Sequence, residues 1–378
     1  MSEPIRILHV IGIMNRGGAE TMIMNFYRNI DRTKVQFDFV EHGNGEADYD
    51  GEIRELGGRI FRCPRYNGKN HFAYVAWWKR FLAEQVGTFH AVHGHIGSTA
   101  SIYLHLAKNA GIYTIAHSHN TANKSLKNLV YQCYAYPTRY IADFFFGCSL
   151  DAGISRYGSN VCSDKRIFTV LNNAIETKKF DYSHQVRQEM RSRLGIENKL
   201  VIGHVGRFET QKNHEFLIRL FAGIRKIRPD AVLLLVGDGT LRPQIEAQIQ
   251  QECLSDCVIL AGVQSDVSPW YQAMDVFVLP SLFEGLGIVA VEAQTSGLPC
   301  VISDTVSKEC MVTDNLVSIM RLTDHTDAWA AHILSRVAEP RRGRKEEVAR
   351  NGYDILENAR WLEHFYRNIP QKQGVNHA

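Results

Sequence analysis

The stretch LPSLFEGLGIVAVEAQTSGLP, residues 279–299, sets two carboxylates, Glu284 and Glu292, around Gly285 and Gly287. DVFVLPS before it reads as a buried strand, and the residues from Gly287 onward as a helix. A glycine-bearing turn into a helix presents backbone N–H groups that suit phosphate oxygens. Glu284, in the turn, can accept hydrogen bonds from ligand hydroxyls. Glu292, about a turn and a half into the helix, can do the same for a ribose diol. Two carboxylates with an anion cradle between them fit the two ends of a nucleotide sugar. A helix cap and a solvated helix residue are the plainer account of the pair, but GIVAVEAQ is too apolar to suit a solvated Glu292. GLGIVA also matches the dinucleotide pattern G-x-G-x-x-A. That pattern normally follows the first strand of a βαβ unit, with an acid about twenty residues on. Here it follows roughly the fourth strand of its half, with Asp304 seventeen residues beyond Gly287, so this alternative is weakened and stays open.

Cations stand at another strand end. In GHVGRFETQKNHE, Arg207 and Lys212 flank a turn, a planar fork and a mobile point charge suited to a diphosphate. A surface ion pair with Glu209 or Glu215 would explain them too. LLLVGDGTL places Gly237 and Gly239 after the next strand, and HVIGIMNRGGAE places Gly17 and Gly18 after the first strand of the chain. Each is a turn that lets backbone approach a ligand closely. YTIAHSHNT carries His117 and His119, which are expected to alternate so that only one faces a site; His117 is the candidate. His93 and His95 end the preceding strand, and His95 is a second candidate. A satisfied structural histidine is the alternative for each.

These residues need a frame. Apolar runs alternate with helical patterns along the chain: seven in the first half, from IRILHVIG to IFTVLN, and five in the second, from LVIGHVGR to PCVIS. Runs apolar throughout are strands buried on both faces, so βαβ order and parallel sheets follow. Twelve strands over 378 residues suit two doubly wound Rossmann-like α/β domains. The expected division is 1–176 and 177–352, with a closing amphipathic helix at about 353–369 completing the first domain and turning Ile355, Leu356, Trp361, Leu362 and Phe365 inward. Ligands of such sheets bind at the carboxyl ends of the strands, where every motif above lies.

The composition, 45% hydrophobic and 22% charged, is that of an ordinary globular protein. No run approaches a transmembrane helix, and no signal peptide is evident, so a cytoplasmic setting is expected. The eight cysteines are scattered and read as reduced thiols. Between Arg59 and Arg139 ten basic residues face the single acid Glu84, with Trp77 and Trp78 interleaved. Such a region suits an anionic membrane surface or a solvated helix face; it carries no nucleic-acid module. The one Asp-x-Asp, DYD at 48–50, reads as surface loop, so no metal ligand set is expected.

Taken in order, the GGAE loop, AHSHN, GRFETQKN, LVGDGT and above all the Glu-x7-Glu stretch resemble the retaining glycosyltransferases of family 4, with the GT-B fold of two facing Rossmann-like domains. The resemblance covers nearly the whole chain and is nearest in style to bacterial exopolysaccharide and capsule enzymes. It implies a donor site of Gly18, Arg207, Lys212, Gly237, Glu284, Gly285, Leu286, Gly287, Ile288 and Glu292. His117, Glu284, Arg207 and Lys212 would be catalytic, and His95 and His119 would lie on the acceptor side. It implies transfer of a hexose or N-acetylhexosamine from a nucleoside-diphosphate sugar, UDP-linked for preference, to a glycan or polyprenyl-linked acceptor. The transfer would be metal-independent and without cofactor, on the inner membrane face. A nucleotide-sugar epimerase of the same architecture and a non-catalytic nucleotide-sugar-binding subunit are the alternatives. LNNAIE departs from the family in carrying Ala174 where glycine is usual.

Overall fold

The computed structural model describes residues 3–119, 134–337 and 341–370. The chain divides into two compact units, Met1–Ala174 with Ile355–Ala378, and Ile175–Asp354. In the first, β1 (Ile5–Ile11), β2 (Val35–His42), β3 (Ile60–Cys63), β4 (Ala91–Gly94), β5 (Tyr113–Ser118), β6 (Phe144–Gly147) and β7 (Phe168–Val170) form one sheet. The order is β3-β2-β1-β4-β5-β6-β7, and every pairing is parallel. In the second unit the strands are β8 (Leu200–Val205), β9 (Ala231–Val236), β10 (Val258–Gly262), β11 (Val276–Leu279), β12 (Cys300–Ser303) and β13 (Val317–Met320). They are ordered β10-β9-β8-β11-β12-β13, again all parallel. The twelve expected runs are strands; β13 is an addition. Its four residues, VSIM, are all half-buried on a sheet edge, too short and too mixed to signal a strand.

Strand alternation splits each core into two layers. In the second unit Val201, Leu234 and Phe277 face one layer, while Ile202, Leu233 and Val278 face the other. Polar residues that the first sheet must bury are paired. Asp38, in the fully buried β2, accepts two hydrogen bonds of 2.6 Å from the Arg6 guanidinium and a further set from Arg59. Burial works to raise the Asp38 carboxyl, but these donors outweigh it and hold it below the usual range.

The strand order reverses between β1 and β4 in one sheet and between β8 and β11 in the other. Those are the points where neighbouring βα loops turn to opposite faces and leave a crevice.

The closing helix is Ile355–Asn368 and belongs to the first unit. It buries Ile355, Ala359, Leu362 and Tyr366, a stripe at helical spacing against Ile7, Phe37 and Phe146. Leu356 and Trp361, expected inward, are each 42% exposed, because they lie on the margins of that stripe. Trp361 stacks on Phe365, with centroids 5.7 Å apart, without entering the core. Leu362→Ala should therefore cost about 2–5 kcal/mol of stability, and Leu356→Ala less than about 1 kcal/mol. Equal losses in denaturant unfolding of the two variants would contradict this packing.

Candidate active site

The second unit gathers its polar residues on the two loops that leave β8 and β11, on either side of its switch point. The loops are stitched together. Leu282 N–H donates to the Gln211 carbonyl at 2.8 Å, Gln211 Nε2 to the Phe283 carbonyl at 2.9 Å, and Asn213 Nδ2 to the Pro280 carbonyl at 3.1 Å. Asn213 takes a left-handed conformation, φ 57°, to turn the first loop into the helix His214–Ile227. Across this junction Lys212 Nζ meets Glu284 Oε1 at 2.5 Å, and Ser281 Oγ donates to the same oxygen at 2.9 Å. The two side chains are 15% and 9% exposed, so the ion pair is sheltered from water. Neither Glu209 nor Glu215 is the partner of Lys212: Glu209 accepts from Thr240 and Glu215 pairs with Arg219. Arg207 is exposed and, among the described residues, in no ion pair. The loop thus presents one oriented ammonium and one guanidinium open to a ligand.

Glu292 lies in the helix Ile288–Thr295 and accepts a 2.7 Å hydrogen bond from the Tyr271 hydroxyl. Burial pushes its carboxyl up to about 7, against the lowering effect of Tyr271, Lys212 and Lys179. It is no solvated helix residue. Tyr271 is itself held in place: Arg341 donates to the carbonyls of Tyr271, Gln272, Met274 and Ser296 at 2.7–3.0 Å, fixing the C-terminal end of the helix Ser268–Ala273. Gly287 caps the helix Ile288–Thr295 at φ 70° with no side-chain cap, leaving that N-terminus without a competing oxygen of its own. Gly285, Leu286 and Ile288 flank it.

The glycines divide by what they approach. A Cβ on Gly237 (φ 136°) would lie 2.1 Å from the Gly206 carbonyl oxygen, and one on Gly239 2.6 Å from that of Phe208. The close approach expected there is thus between two neighbouring loops of the protein. A Cβ on Gly18, the first residue of the helix Gly18–Asn29, would meet nothing within 4 Å.

In the first unit five histidines share one face at the carboxyl ends of β1, β4 and β5. His117 and His119 do not alternate: residues two apart on a strand share a face, and their rings stack at 4.1 Å. Two hydrogen-bonded rows result. Tyr366 Oη meets His93 Nδ1 at 2.7 Å, and His93 Nε2 meets His117 Nδ1 at 3.2 Å. His9 Nδ1 meets His95 Nε2 at 2.9 Å, and His95 Nδ1 meets His119 Nε2 at 2.7 Å. Burial depresses all five, His9 to about 3 and His119 to about 4, so they are neutral at physiological pH. His9 and Tyr366 were not legible as members, since one sits mid-strand and the other arrives from the end of the chain.

Other expectations need correction. Asp50 of DYD is buried, not surface loop; it pairs with Arg62, which also binds Glu41 at 2.6 Å. Burial first, and Asp50 second, push the Glu41 carboxyl up. Arg59, Arg62 and Lys108 of the basic stretch are used in pairs with Asp38, Glu41 and Asp143, and Trp78 is core. What stays outward is Arg65, Lys69, Lys79 and Arg80, the last in an exposed pair with Glu84 at 3.9 Å, together with Phe72 at 87% exposure. Lys124 and Lys127 lie outside the described residues. All seven described cysteines are free, and no described helix is long and apolar enough to cross a membrane.

Two all-parallel α/β units, each with a polar cluster at its switch point, define the architecture of a GT-B protein. Residues 186–353 match the family described as glycosyl transferases group 1. The chain is 37% identical to the putative glycosyltransferase EpsF of Bacillus subtilis (strain 168), over 98% of each sequence. It is 26% identical to an Escherichia coli UDP-Gal:alpha-D-GlcNAc-diphosphoundecaprenol alpha-1,3-galactosyltransferase, over 73% of this chain and 74% of that one. Among solved structures, Anabaena Alr3699/HepE in complex with UDP superposes with a TM-score of 0.72 at 17% identity, over 96% of this chain and 95% of that one. The chain belongs to the group 1 glycosyltransferases, family 4, and is a glycosyltransferase enzyme.

A carboxyl raised on folding stabilises the protein fully only below its unfolded pKa, near 4.3, and that stability is lost as pH rises through about 7. Glu292→Gln should therefore unfold at the same urea concentration as wild type at pH 4 or below but be more stable at pH 8, by up to about 3 kcal/mol. Part of the pH dependence should persist, because Glu41 shifts in the same direction. Parallel curves for wild type and variant would show that Glu292 is not a raised acid.

Proposed function

We propose that the protein moves a hexose or N-acetylhexosamine from a UDP-sugar to a lipid-linked glycan, with retention of anomeric configuration, in the synthesis of exopolysaccharide, capsule or lipopolysaccharide. The observation that carries this is the fixed Lys212–Glu284 pair one loop away from Glu292 and the helix start at Gly287. In this reading Arg207 and Lys212 hold the diphosphate, and Gly285, Leu286, Gly287 and Ile288 offer backbone to sugar and phosphate. Glu284 accepts from sugar hydroxyls and Glu292 from the ribose. Gly237 shapes the floor between two loops. Roles for Gly18 at the phosphates and for His117, His95 and His119 at the sugar and acceptor rest on the family resemblance. UDP as nucleotide is supported by what the Escherichia coli relative uses and by what the Anabaena structure contains.

As the bond from the anomeric carbon to the diphosphate oxygen breaks, its electron pair goes to the phosphate, where the two cations and the helix N-terminus stabilise it. The acceptor oxygen forms the new bond from the same face, and its proton passes to the leaving phosphate. These cations meet the charge requirement of the step, so the transfer is expected to need no metal. In the proposed division the first unit binds the acceptor and the second the donor.

Wild type should release UDP from one member of a nucleotide-sugar panel only when a membrane lipid extract is present, and Glu292→Ala should weaken donor binding at least tenfold. Donor conversion without acceptor would mean an epimerase, and binding without release in any extract a silent subunit. We also place the outward Arg65, Lys69, Phe72, Lys79 and Arg80 against anionic lipid. Changing the four cations to Glu should abolish cosedimentation with phosphatidylglycerol vesicles and spare UDP binding; unchanged cosedimentation would refute membrane docking by this face.

A further inference from the structure

The histidine rows contain more than the proposed transfer uses. One ring nitrogen from each of His95, His117 and His119 lies within 4.8 Å of those of the other two. His117 is 4% exposed, and its Nε2 is buried with no hydrogen-bond partner. An unpartnered buried imidazole nitrogen is costly unless something binds it. We propose that these three residues form a binding site for a divalent transition-metal ion of the zinc class.

The hydrogen-bond rows supply what such a site requires. In one set of neutral tautomers His95 donates from Nε2 to His9 Nδ1, which frees His95 Nδ1. His117 donates from Nδ1 to His93 Nε2, which frees His117 Nε2, and His93 Nδ1–H is in turn accepted by the Tyr366 hydroxyl. Two of the three ligands thus have an imidazole behind them, the arrangement that fixes the tautomer and raises the basicity of a metal-bound histidine. With His119 protonated at Nδ1, its Nε2 is the third donor. The 2.7 Å separation of His95 Nδ1 and His119 Nε2 is close to the ~3.3 Å edge of a tetrahedron of nitrogens about 2.0–2.1 Å from zinc, so slight opening of the pair admits an ion. Three imidazoles leave a fourth position for water.

His9, His93 and His95 also converge, but both nitrogens of His93 are engaged by Tyr366 and His117, and His9 and His93 are buried. His95 and His119 of the first trio are half-buried. The charge of Arg156, which after burial also depresses His119, works against a second cation there. Occupancy would take His117 out of the transferase; that consequence alone rests on the function proposed above, and it makes the ion a reversible inhibitor rather than a cofactor.

The test is titration of metal-free protein lacking a histidine tag with Co2+, followed by its visible d–d absorption, and with Zn2+ by calorimetry. Wild type should bind one ion with the intense bands of tetrahedral cobalt. His119→Ala, at a half-buried position with its fold checked by thermal melting, should weaken binding at least tenfold, and the exposed His184→Ala should leave it unchanged. If His119→Ala does not fold, His119→Gln replaces it. Wild-type binding no tighter than that of the His119 variant, or binding lost in His184→Ala, would overturn the proposal.

Discussion

The contact on which the second unit depends is the ion pair between Lys212 and Glu284. It joins the loops after β8 and β11, which emerge on opposite sides of a switch point, and among the described residues it is the one charged contact in the bonds that stitch them together. Its parts are mostly shielded from water, so either charge left alone would be strongly destabilising, whereas the pair with Ser281 is self-consistent. A backbone bond from Leu282 to Gln211 and a side-chain bond from Asn213 to the Pro280 carbonyl hold the geometry around it. The consequence is an ammonium held in place before any ligand arrives, which is the condition for effective electrostatic stabilisation. Arg207, by contrast, is exposed and free to move onto a ligand.

The first unit solves the same positional problem without a charge. Its switch-point cluster is five imidazoles kept neutral by burial, ordered by hydrogen bonds rather than ion pairs. The row ending at His117 begins at Tyr366, which the closing helix brings from the far end of the sequence. The return of that helix to the first unit therefore does more than cover the sheet: it delivers the hydroxyl that orients His93.

Much of this was legible because parallel strands buried on both faces are apolar throughout, as AVLLLV and FFFG are. What escaped was short or non-local. VSIM is an edge strand with no fully buried residue. Tyr271 supports Glu292 from twenty-one residues away, and nothing in SPWYQA signals it. Leu356 and Trp361 matched an amphipathic pattern but sit at its edges, where one rotation step decides burial. Asp50 reads as loop because its neighbours are polar, but it opens a short helix, and Arg62 of β3 permits its burial. His117 and His119 share a face rather than alternating, since the side-chain period of a strand is two. The pairing of Lys212 with Glu284 joins two sequence candidates whose mutual contact no spacing could reveal.

The proposed donor site depends most directly on Glu292 being a raised carboxyl that a ribose would ionise. Calorimetric titration of the protein with UDP at pH 7, in two buffers of different ionisation enthalpy, measures this. With a free carboxyl near 7, hydroxyl donors from the ribose should lower it and release about half a proton per UDP bound, a release absent in Glu292→Gln. Binding with no proton release in wild type, or no UDP binding at all, would contradict the donor site described.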